Sequence, residues 1–446
     1  MTDPVETIPL VPETLAAGAN DEPAWLSDLR RAGLSIYTER GLPTVKVEAW
    51  KYTSLAGLKK IPYVLDDGGV PAPADADIAG DVLPLPPEDT YRVTLVNGRP
   101  TDLPTDLPAG VRMARLADLL EAEPALVKPY LGRIADLSDA PMGALNGALM
   151  RDGVVILVDA GIVLDKPIHL VSIAQAPNGQ ARHGHPRHLI VLGDGAAATI
   201  VESRVTGPES AETLCNAVTE IAVGADAHLR HLRLVNRAET AVDLDLTETT
   251  LADRATYDAF TLTLGGRLVR NEGRVRLRGA NAWAGLRGAY GARDAQHFDT
   301  TLLVDHVVPD ARSDQVFKGV VDAGGKAVFQ GKVIVRKDAQ RTDGNQLHKA
   351  LLLSRDADAY TKPELEIYAD DVKCSHGATV GELDENQLFY LMARGIPEAD
   401  ARALLVEAFL DDVVEAIPEG PLRDAFLASV RAWQTRRHAS TWEIGA

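Results

Sequence analysis

The sequence predicts a mainly β protein whose central part is a solenoid of stacked strands, with helical regions on both sides. Short apolar runs separated by Gly, Asp and Asn follow one another over residues 151–382, without a helix between them. Aromatic residues make only 5% of the chain, so Leu, Val, Ile and Ala must fill its core. After residue 383 the apolar spacing changes to the period of a helix. These observations divide the chain into three parts.

Residues 1–150 are predicted to form a mixed helical region with a linker. Trp25 to Tyr37 has apolar residues at helical spacing, and Gly41 should end that helix. Residues 61–90 are rich in Pro, Gly, Ala and Asp, as is typical of a linker. Tyr91 to Val96 alternates like a strand and runs into a turn at Asn97-Gly98.

The strand-rich part, residues 151–382, could in principle form a sandwich, a barrel, a propeller or a parallel β-helix. No aromatic motif recurs as it does in propeller blades, and Ala and other small residues are frequent within the strands. Small side chains allow layers to approach closely, which favours a β-helix or a similar solenoid.

Residues 383–446 are predicted to form a helical domain. Asp384 and Gln387 fit an N-cap and its reciprocal partner, and Pro397 should open a second helix. The predicted apolar stripe of that second helix consists of Ala401, Leu404, Leu405, Ala408, Phe409 and Val413. We expect these stripes to pack on each other and on the solenoid, with a docking face for another protein as a further hypothesis.

Charge and composition exclude several classes of function. With 46 basic and 64 acidic residues, the net charge is −18, so binding to nucleic acid through phosphate neutralisation is not expected. The most apolar window, residues 153–164, is too short to cross a membrane and contains Asp159. The N-terminus lacks the pattern of a signal peptide, and the only cysteines are Cys215 and Cys374. We therefore expect a cytoplasmic protein.

The sequence carries no motif of a known enzyme class. Residues 319–326 superficially resemble a phosphate-binding loop, but a glycine is misplaced and Ala327 stands where Ser or Thr would hold magnesium. ATP binding by this chain is therefore not expected. A polysaccharide-acting β-helix would need clustered carboxylates, for which Asp370-Asp371 is a weak candidate, since neighbouring strand residues point to opposite faces. We predict that the protein is not an enzyme.

Five further histidines are weak candidates for metal ligands. His183, His185 and His188 lie in a segment that contains Gly and Pro and is predicted to be an exposed loop, without a fourth ligand nearby. His228 and His231 are three residues apart in a strand and should face opposite sides, as surface residues.

The strongest candidate for a metal site is the segment Lys373-Cys374-Ser375-His376. In a strand, residues i and i+2 share a face, so the Cys374 thiol and the His376 imidazole should project side by side. Sulfur and nitrogen donors suit iron, copper or zinc, but the remaining ligands would have to come from another chain. A buried thiol beside a hydrogen-bonded histidine is the alternative, and the residues alone leave both open.

A series of motifs nevertheless resembles one family. They are Ser313-Asp314-Gln315-Val316-Phe317-Lys318-Gly319, Phe329-Gln330-Gly331-Lys332, Gln340-Arg341-Thr342-Asp343, Lys362-Pro363-Glu364-Leu365-Glu366-Ile367, Cys374-Ser375-His376-Gly377-Ala378-Thr379 and Gln387-Leu388-Phe389-Tyr390-Leu391. In order and spacing they resemble the SufB/SufD family of iron–sulfur cluster assembly proteins. Glu48-Ala49-Trp50-Lys51-Tyr52-Thr53 is similar to a signature of the SufD branch, with Ala49 in place of the usual Asp.

Two differences distinguish this chain from the SufB branch. SufB carries an acceptor cysteine in the segment that matches residues 351–357, where this chain has Ala357 near the expected place. SufB also has glutamates on both sides of the histidine, where this chain has Ser375 and Gly377. The resemblance is therefore to the SufD branch, which completes a site with SufB.

The resemblance implies a right-handed parallel β-helix that forms a heterodimer with SufB through its C-terminal end and binds the ATPase SufC through its C-terminal helices. It also implies a transient iron–sulfur cluster or iron shared with SufB, with His376 and Cys374 as contributing residues. An imidazolium beside Cys374 would be expected to lower the pKa of its thiol. A purely structural platform and a polysaccharide-acting enzyme are the alternative functions, and the isolated chain is a candidate homodimer.

Overall fold

The computed structural model describes residues 9–12 and 22–443, with side chains through residue 436. The helices are α1 (Ala24–Arg40), α2 (Asp75–Ile78), α3 (Leu116–Ala122), α4 (Pro124–Val127), α5 (Pro141–Leu149), α6 (Glu385–Ala393), α7 (Glu398–Val414) and α8 (Pro421–Glu443). The early strands are β1 (Val64–Leu65), β2 (Tyr91–Val96), β3 (Arg99–Asp102), β4 (Val111–Arg115), β5 (Val154–Val158), β6 (Ile168–Ala174), β7 (Arg182–Gly184) and β8 (Arg187–Leu192).

The later strands are nearly all ten or eleven residues long. They are β9 (Ala197–Thr206), β10 (Thr213–Val223), β11 (His228–Asn236), β12 (Ala241–Leu251), β13 (Thr256–Gly265), β14 (Leu268–Leu277), β15 (Trp283–Ala292), β16 (His297–His306), β17 (Arg312–Val321), β18 (Lys326–Val335), β19 (Thr342–Leu352), β20 (Asp358–Ile367) and β21 (Val372–Gly381). Only a three-residue 3₁₀ turn interrupts the series of strands between β5 and β21.

Two parallel sheets form the walls of a solenoid. Sheet 1 has the order β20-β18-β16-β14-β12-β10-β8-β5-β4, and sheet 2 has the order β21-β19-β17-β15-β13-β11-β9-β6-β2-β3. Successive strands of the chain alternate between the sheets, so every pair of strands adds one coil. From β9 onward, the number of residues in one coil varies. The shortest coil has 26 residues, from Val242 to the residue stacked on it, Leu268, and the longest has 32, from Lys326 to Asp358. This variation explains why the sequence shows no strict repeat.

The interior of the coils forms the main core. Alternate residues of both sheets point inward and build one apolar cluster that extends from Tyr91 in β2 to Val335 in β18. Inward Ala and Gly allow the two sheets to approach, as at Gly331, where a Cβ atom would lie 2.1 Å from Nε2 of Gln346. The solenoid predicted from small, apolar strand residues is thereby confirmed.

Each sheet is covered on its outer face by a different part of the chain. The N-terminal region packs Tyr37, Trp50 and Leu145 against outward residues of sheet 1 such as Leu244. The C-terminal helices pack against sheet 2, with Trp433, Phe426, Leu410 and Val406 in contact with Phe260, Leu262 and Val320. The strands in the middle are consequently buried on both faces.

The helices agree with the sequence in position but differ in one detail. Helix α1 ends before Gly41 as predicted, and the Asp384 carboxylate caps α6 by accepting the backbone N–H of Gln387 at 3.4 Å. The predicted stripe of α7 is partly wrong, because Leu404 is exposed while Val406 and Leu410 are buried. Contact with sheet 2 selects the buried face there, since both sides of the helix carry apolar residues.

The region before residue 150 contributes more β structure than predicted. Strand β2 pairs in parallel with β6, and β4 pairs antiparallel with β5, so both extend the solenoid sheets. Strand β3 folds back antiparallel on β2 through the predicted turn at Asn97-Gly98. These short strands close the N-terminal end of the stack. The domain limits themselves stay a prediction.

Candidate functional site at the open end of the solenoid

Cys374 and His376 lie on the last strand of the solenoid. Strand β21 pairs with β19 on one side, and within the described residues no strand pairs with its other side. Cys374 is stacked on Gly344 and His376 is stacked on Gln346. Both residues share the inward face, as the spacing predicts, so the thiol and the imidazole lie together at the open end.

Strand β20 forms the opposite wall of this terminal coil. Gly344 of β19 faces Val333 of β18, since a Cβ atom at Gly344 would lie 3.7 Å from Cγ1 of Val333. In the same way Gln346 of β19 faces Gly331 of β18, where a Cβ atom would lie 2.1 Å from Nε2 of Gln346. One coil further on, Val333 is stacked on Leu365 and Gly331 on Pro363. Cys374 therefore faces Leu365, and His376 faces Pro363, across the end of the lumen.

The outer edges of the terminal coil carry unpaired backbone groups. The backbone N–H groups of Asp358, in β20, and of Tyr368, just beyond its end, donate to carbonyl groups of the preceding coil. Because successive amides of a strand point to opposite sides, the odd-numbered amides of β20 point out of the open end. Pro363 is odd-numbered and has no N–H, so one donor is absent from this outward row. In β19 the amides of Asp343 and Leu353 donate back to the preceding coil. Since Asp343 is stacked on Lys373, the amides of Cys374 and His376 point out of the open end.

The environment of Cys374 differs from our expectation. Its side chain is half-buried and packs against the main core. Burial raises the pKa of the thiol above its usual value, although the amide of Gly344 acts in the opposite direction. The expectation of a lowered thiol pKa is therefore wrong for this chain by itself, because loss of hydration outweighs the nearby donors.

His376 is exposed, and its ring stands above a column of buried glutamines. Gln346 lies directly beneath it and Gln315 one coil further in. Nε2 of Gln346 donates to Oε1 of Gln315 at 3.1 Å. The imidazole is thus held at the rim of the lumen by its strand, with its ring open to solvent.

The neighbouring residues of β21 face the other way. Lys373 and Ser375 point outward, and both are exposed. The Ser375 hydroxyl donates to Oδ1 of Asn345 at 2.7 Å, which ties the outer surface of β21 to β19. Only every second residue of this strand can reach the lumen.

The N-terminal motif Glu48-Ala49-Trp50-Lys51-Tyr52-Thr53 approaches the same end on the outer face of sheet 1. The Trp50 ring lies 4.0 Å from the Arg270 guanidinium carbon, and Tyr52 stacks on Tyr360 of β20 at 5.1 Å. Lys362, also on β20, pairs with Glu48. This motif attaches the N-terminal region to the last coil, a contact that no local sequence pattern predicts.

The other histidines lie differently from the prediction. His183, His185 and His188 are buried rather than exposed, and Nδ1 of His183 lies 2.9 Å from Nε2 of His185. Burial lowers the pKa of His183 to about 4, so this pair is neutral. His228 is exposed as predicted, whereas His231 is buried, with its Nε2 2.6 Å from Glu202.

A buried ionic network inside the middle coils was missed. Arg204 pairs with Asp245 at 2.8 Å and with Asp243 at 3.2 Å, while Arg233 pairs with Asp245 and Glu202. Burial opposes ionisation of Glu202, but Arg204 and Arg233 outweigh it and hold the pKa of this carboxyl well below its usual value. A signal was available, because charges at i and i+2 alternate with apolar residues in β9 and β12.

Two general properties of the described residues bear on the site. They contain no group of three or more His, Cys, Asp and Glu side chains placed to hold a metal ion. No helix among them is both long enough and apolar enough to span a bilayer.

Comparison with known proteins decides the family. Residues 174–409 match the family model described as the SufBD core domain of the SUF system for iron–sulfur cluster assembly, and residues 10–170 match the SufBD N-terminal region. The chain belongs to the SufBD family.

Similar proteins come from several organisms. The iron–sulfur cluster assembly protein SufD of Escherichia coli K12 is 33% identical over 87% of this chain and 89% of its own length. A SufBD family protein of Synechocystis is 30% identical over 92% of this chain and 91% of its own length. The chloroplastic protein ABCI7 of Arabidopsis thaliana is 31% identical over 72% of this chain and 68% of its own length.

Membership of the SufBD family confirms the resemblance found in the sequence and assigns the chain to iron–sulfur cluster assembly. The SufBD core match covers the strands from β7 onward and includes Cys374 and His376. The roles of these two residues and the identities of the partners are not contained in the match, and they are taken up as proposals.

Proposed function

We propose that this chain is the SufD-type component of an iron–sulfur cluster assembly complex, and that its terminal coil is half of the site where the nascent cluster forms. In this proposal the chain is not an enzyme and binds no ATP itself. Cys374 and His376 provide a sulfur and a nitrogen donor to the cluster or its iron, which is cargo. SufB provides the other ligands.

The observation that carries this proposal is that both donors lie on the inward face of β21, the terminal strand, whose outer edge pairs with no strand of the described residues. A half-buried thiol and an exposed imidazole, two residues apart on one face, can both reach a group held at the end of the lumen. Iron–sulfur clusters accept thiolate and imidazole ligands. Two donors do not complete a coordination sphere, so a second polypeptide is required.

The same end offers a means of binding SufB. Parallel edge strands with free N–H and C=O groups can pair with strands of another chain. Strand β21 presents outward amides at Cys374 and His376, so a partner that pairs with it arrives directly above the two donors. A second copy of this chain could pair in the same way, which would give the homodimer considered above.

Binding of a partner would also change the thiol. Because burial raises the pKa of Cys374 in the isolated chain, ionisation needs a new source of positive charge. Iron at the shared site provides such a charge, and a coordinated thiol loses its proton. The thiol is thus protonated and unreactive in the isolated chain and becomes a ligand when iron arrives.

The C-terminal helices are the proposed docking surface for SufC. Helix α6 leaves Phe389 71%, Tyr390 57% and Met392 42% exposed, while Leu388 of the same helix is buried. Leu404 of α7 is 48% exposed as well. Contiguous exposed apolar side chains of this size mark an interaction site. Movement driven by ATP in SufC could reach the terminal coil through these helices.

The central experiment compares His376→Ala with wild type in a cell that depends on this pathway. We expect loss of cluster maturation while the complex with SufB still forms, since His376 is exposed and its replacement should leave the fold intact. Cluster content is measured after anaerobic co-purification. His228→Ala serves as the matched control, because His228 is another exposed histidine on a solenoid strand.

Normal maturation in the His376→Ala variant would remove the ligand role of this residue. If His376→Ala combined with Cys374→Ala is also harmless, the chain is a structural platform that only stabilises its partners. Activity of the purified chain on uronate polymers would instead favour the polysaccharide-acting alternative. For the compartment, we propose the cytoplasm, because neither cysteine forms a disulfide.

The SufC surface is tested with Phe389→Ser combined with Met392→Ser. We expect at least a tenfold loss of SufC affinity, since central apolar anchors typically contribute more than 1.4 kcal/mol each, about a factor of ten. Binding is measured by calorimetry on the purified chain. Val163→Ser is the control, because Val163 is 68% exposed and lies far along the chain from the helices. Unchanged affinity would place SufC elsewhere.

A further inference from the structure

Several buried polar atoms near the open end lack a hydrogen-bond partner. They include Oε1 of Gln346, Nε2 of Gln315, Nδ1 of His348 and Oγ1 of Thr361. Gln346 is only 2% exposed and Gln315 is fully buried. Leaving a polar group buried without a partner typically costs about 1–3 kcal/mol. Such groups at the floor of the candidate site call for a functional account.

Gln346 is held in one orientation by its surroundings. It lies in register between Gln315, one coil further in, and His376, at the rim. Its Nε2 donates to Gln315, and Gly331 on the opposite wall leaves the space that the amide fills. Because the oxygen and nitrogen of a planar amide diverge, pointing Nε2 inward turns Oε1 away from Gln315, toward the open end.

His376 is the residue stacked above that free oxygen. Neighbouring strands lie about 4.8 Å apart, so side chains on one face of adjacent strands are within hydrogen-bonding reach of each other. A neutral imidazole has one N–H to donate and one lone pair for a metal. Histidines that bind metals almost always donate their other ring N–H to an oxygen acceptor, which fixes the tautomer.

We propose that Gln346 is a positioning residue for His376. Its Oε1 accepts the N–H of one ring nitrogen, so that the lone pair of the other nitrogen points out of the open end toward the cargo iron. Gln315 holds Gln346 in place from below. This inference rests on the proposed function for its purpose. The hydrogen bond itself is part of the proposal, since Oε1 of Gln346 has no partner in the structure, and its formation needs no other chain.

The test measures the tautomer of His376 in the full-length chain with ¹⁵N-labelled histidine, at a pH where the ring is neutral. The His376→Ala variant identifies the signals. In wild type we expect one tautomer to dominate. Gln346→Met keeps the length of the side chain but removes the acceptor, so both tautomers should appear. Gln346→Glu retains an acceptor oxygen and should restore the single tautomer.

Gln330→Met is the matched control. Gln330 is also a buried glutamine, 6% exposed, but it points away from the lumen and donates to the carbonyl of Ala49. This variant suffers the same loss of an amide and should leave the His376 signals unchanged. Should Gln346→Met fail to fold, Gln346→Asn shortens the side chain by one methylene group, keeps its polarity and should likewise release the tautomer.

A second readout links the tautomer to the site. In the complex with SufB we expect Gln346→Met to weaken binding of ferrous iron by about 10–100-fold, as for other residues that orient a metal-binding histidine. A wild-type tautomer ratio in Gln346→Met would overturn the inference. The proposed function can fail independently: normal maturation in His376→Ala removes the ligand role even if Gln346 controls the tautomer.

Discussion

The two ends of the solenoid are built differently. At the N-terminal end, β3 and β4 run antiparallel to their neighbours and close the sheets, and Leu170 of β6, two strands in from β3, is 3% exposed. At the C-terminal end, no strand of the described residues pairs with the outer edges of β20 and β21, and residues along β20 alternate between faces with little difference in exposure. A stack of coils needs a cap at each end to hide its apolar lumen. The two ends therefore differ in how far the described residues cover the lumen.

The largest expected effect comes from the covered coils. Glu220 forms a fully buried pair with Arg187 at 2.5 Å and also accepts backbone N–H groups of Gly132, Ile134 and Ala135, which attach the N-terminal region. Glu220→Ala should lower the free energy of unfolding by about 3–5 kcal/mol, because Arg187 is left buried and unpaired. Denaturant titration measures this change.

Glu366→Ala is the counterpart at the bare end. Glu366 pairs with Lys332 at 2.6 Å, but both side chains are more than a third exposed. Water and salt screen such a pair, so its loss should cost less than about 1 kcal/mol. Equal costs for the two variants would show that the N-terminal region does not protect the coils that it covers.

The second comparison uses the same substitution near each end. Leu170→Ala, inside the closed end, should cost about 2–5 kcal/mol through lost burial and the cavity left behind. Leu365→Ala, on the half-buried lumen face of β20, should cost about 1–2 kcal/mol in the isolated chain. In the complex with SufB the cost of Leu365→Ala should rise toward that of Leu170→Ala. Thermal unfolding of chain and complex tests this, and no rise would mean that SufB does not cover the end.

The smallest expected effect is a pH dependence of stability caused by Glu248, on the face of sheet 1 that the N-terminal region covers. Burial raises the pKa of Glu248 to about 8, although Arg274 opposes the shift. The folded state therefore binds this proton more tightly than the unfolded state. The contribution of Glu248 to the free energy of unfolding is fully present below about pH 4.5, the ordinary pKa of a glutamate. It is lost as the pH rises through about 8, the pKa in the folded state.

Glu248→Gln should flatten that part of the stability profile, because the amide is neutral at every pH. The measurement is the free energy of unfolding of both proteins between pH 5 and 9, the interval in which the shift acts. A difference between wild type and variant that stays constant with pH would contradict the raised pKa.

The sequence predicted the parts of the fold that depend on local patterns. Period-two runs such as Thr261-Leu262-Thr263-Leu264 identified the strands, and Asp384 and Gly41 marked helix ends. It could not show which faces are covered, because the strands of the middle coils carry apolar residues on both faces. The predicted buried side of α7 is partly wrong because that helix carries apolar residues on both sides, and the prediction for His183 is wrong because nearby Gly and Pro indicated an exposed loop.

The candidate site was half predictable. The spacing of Cys374 and His376 determines that they share a face, and the structure places them at the open end. Their surroundings depend on stacking between residues about 30 positions apart, which no local pattern contains. Gln315 and Gln346 are 31 residues apart, and their hydrogen bond exists only because the coils are in register. The burial that raises the thiol pKa has the same long-range origin.

Pro363 has a consequence for how many molecules can join. A solenoid that ends in two complete, bare edges could add copies end on end and grow into a fibre. Pro363 lies in the middle of β20 and leaves a gap in its outward row of donors, while β21 keeps its row intact. Strand pairing over both walls is thereby disfavoured, so a molecule that pairs with this end meets a complete row of donors only on β21.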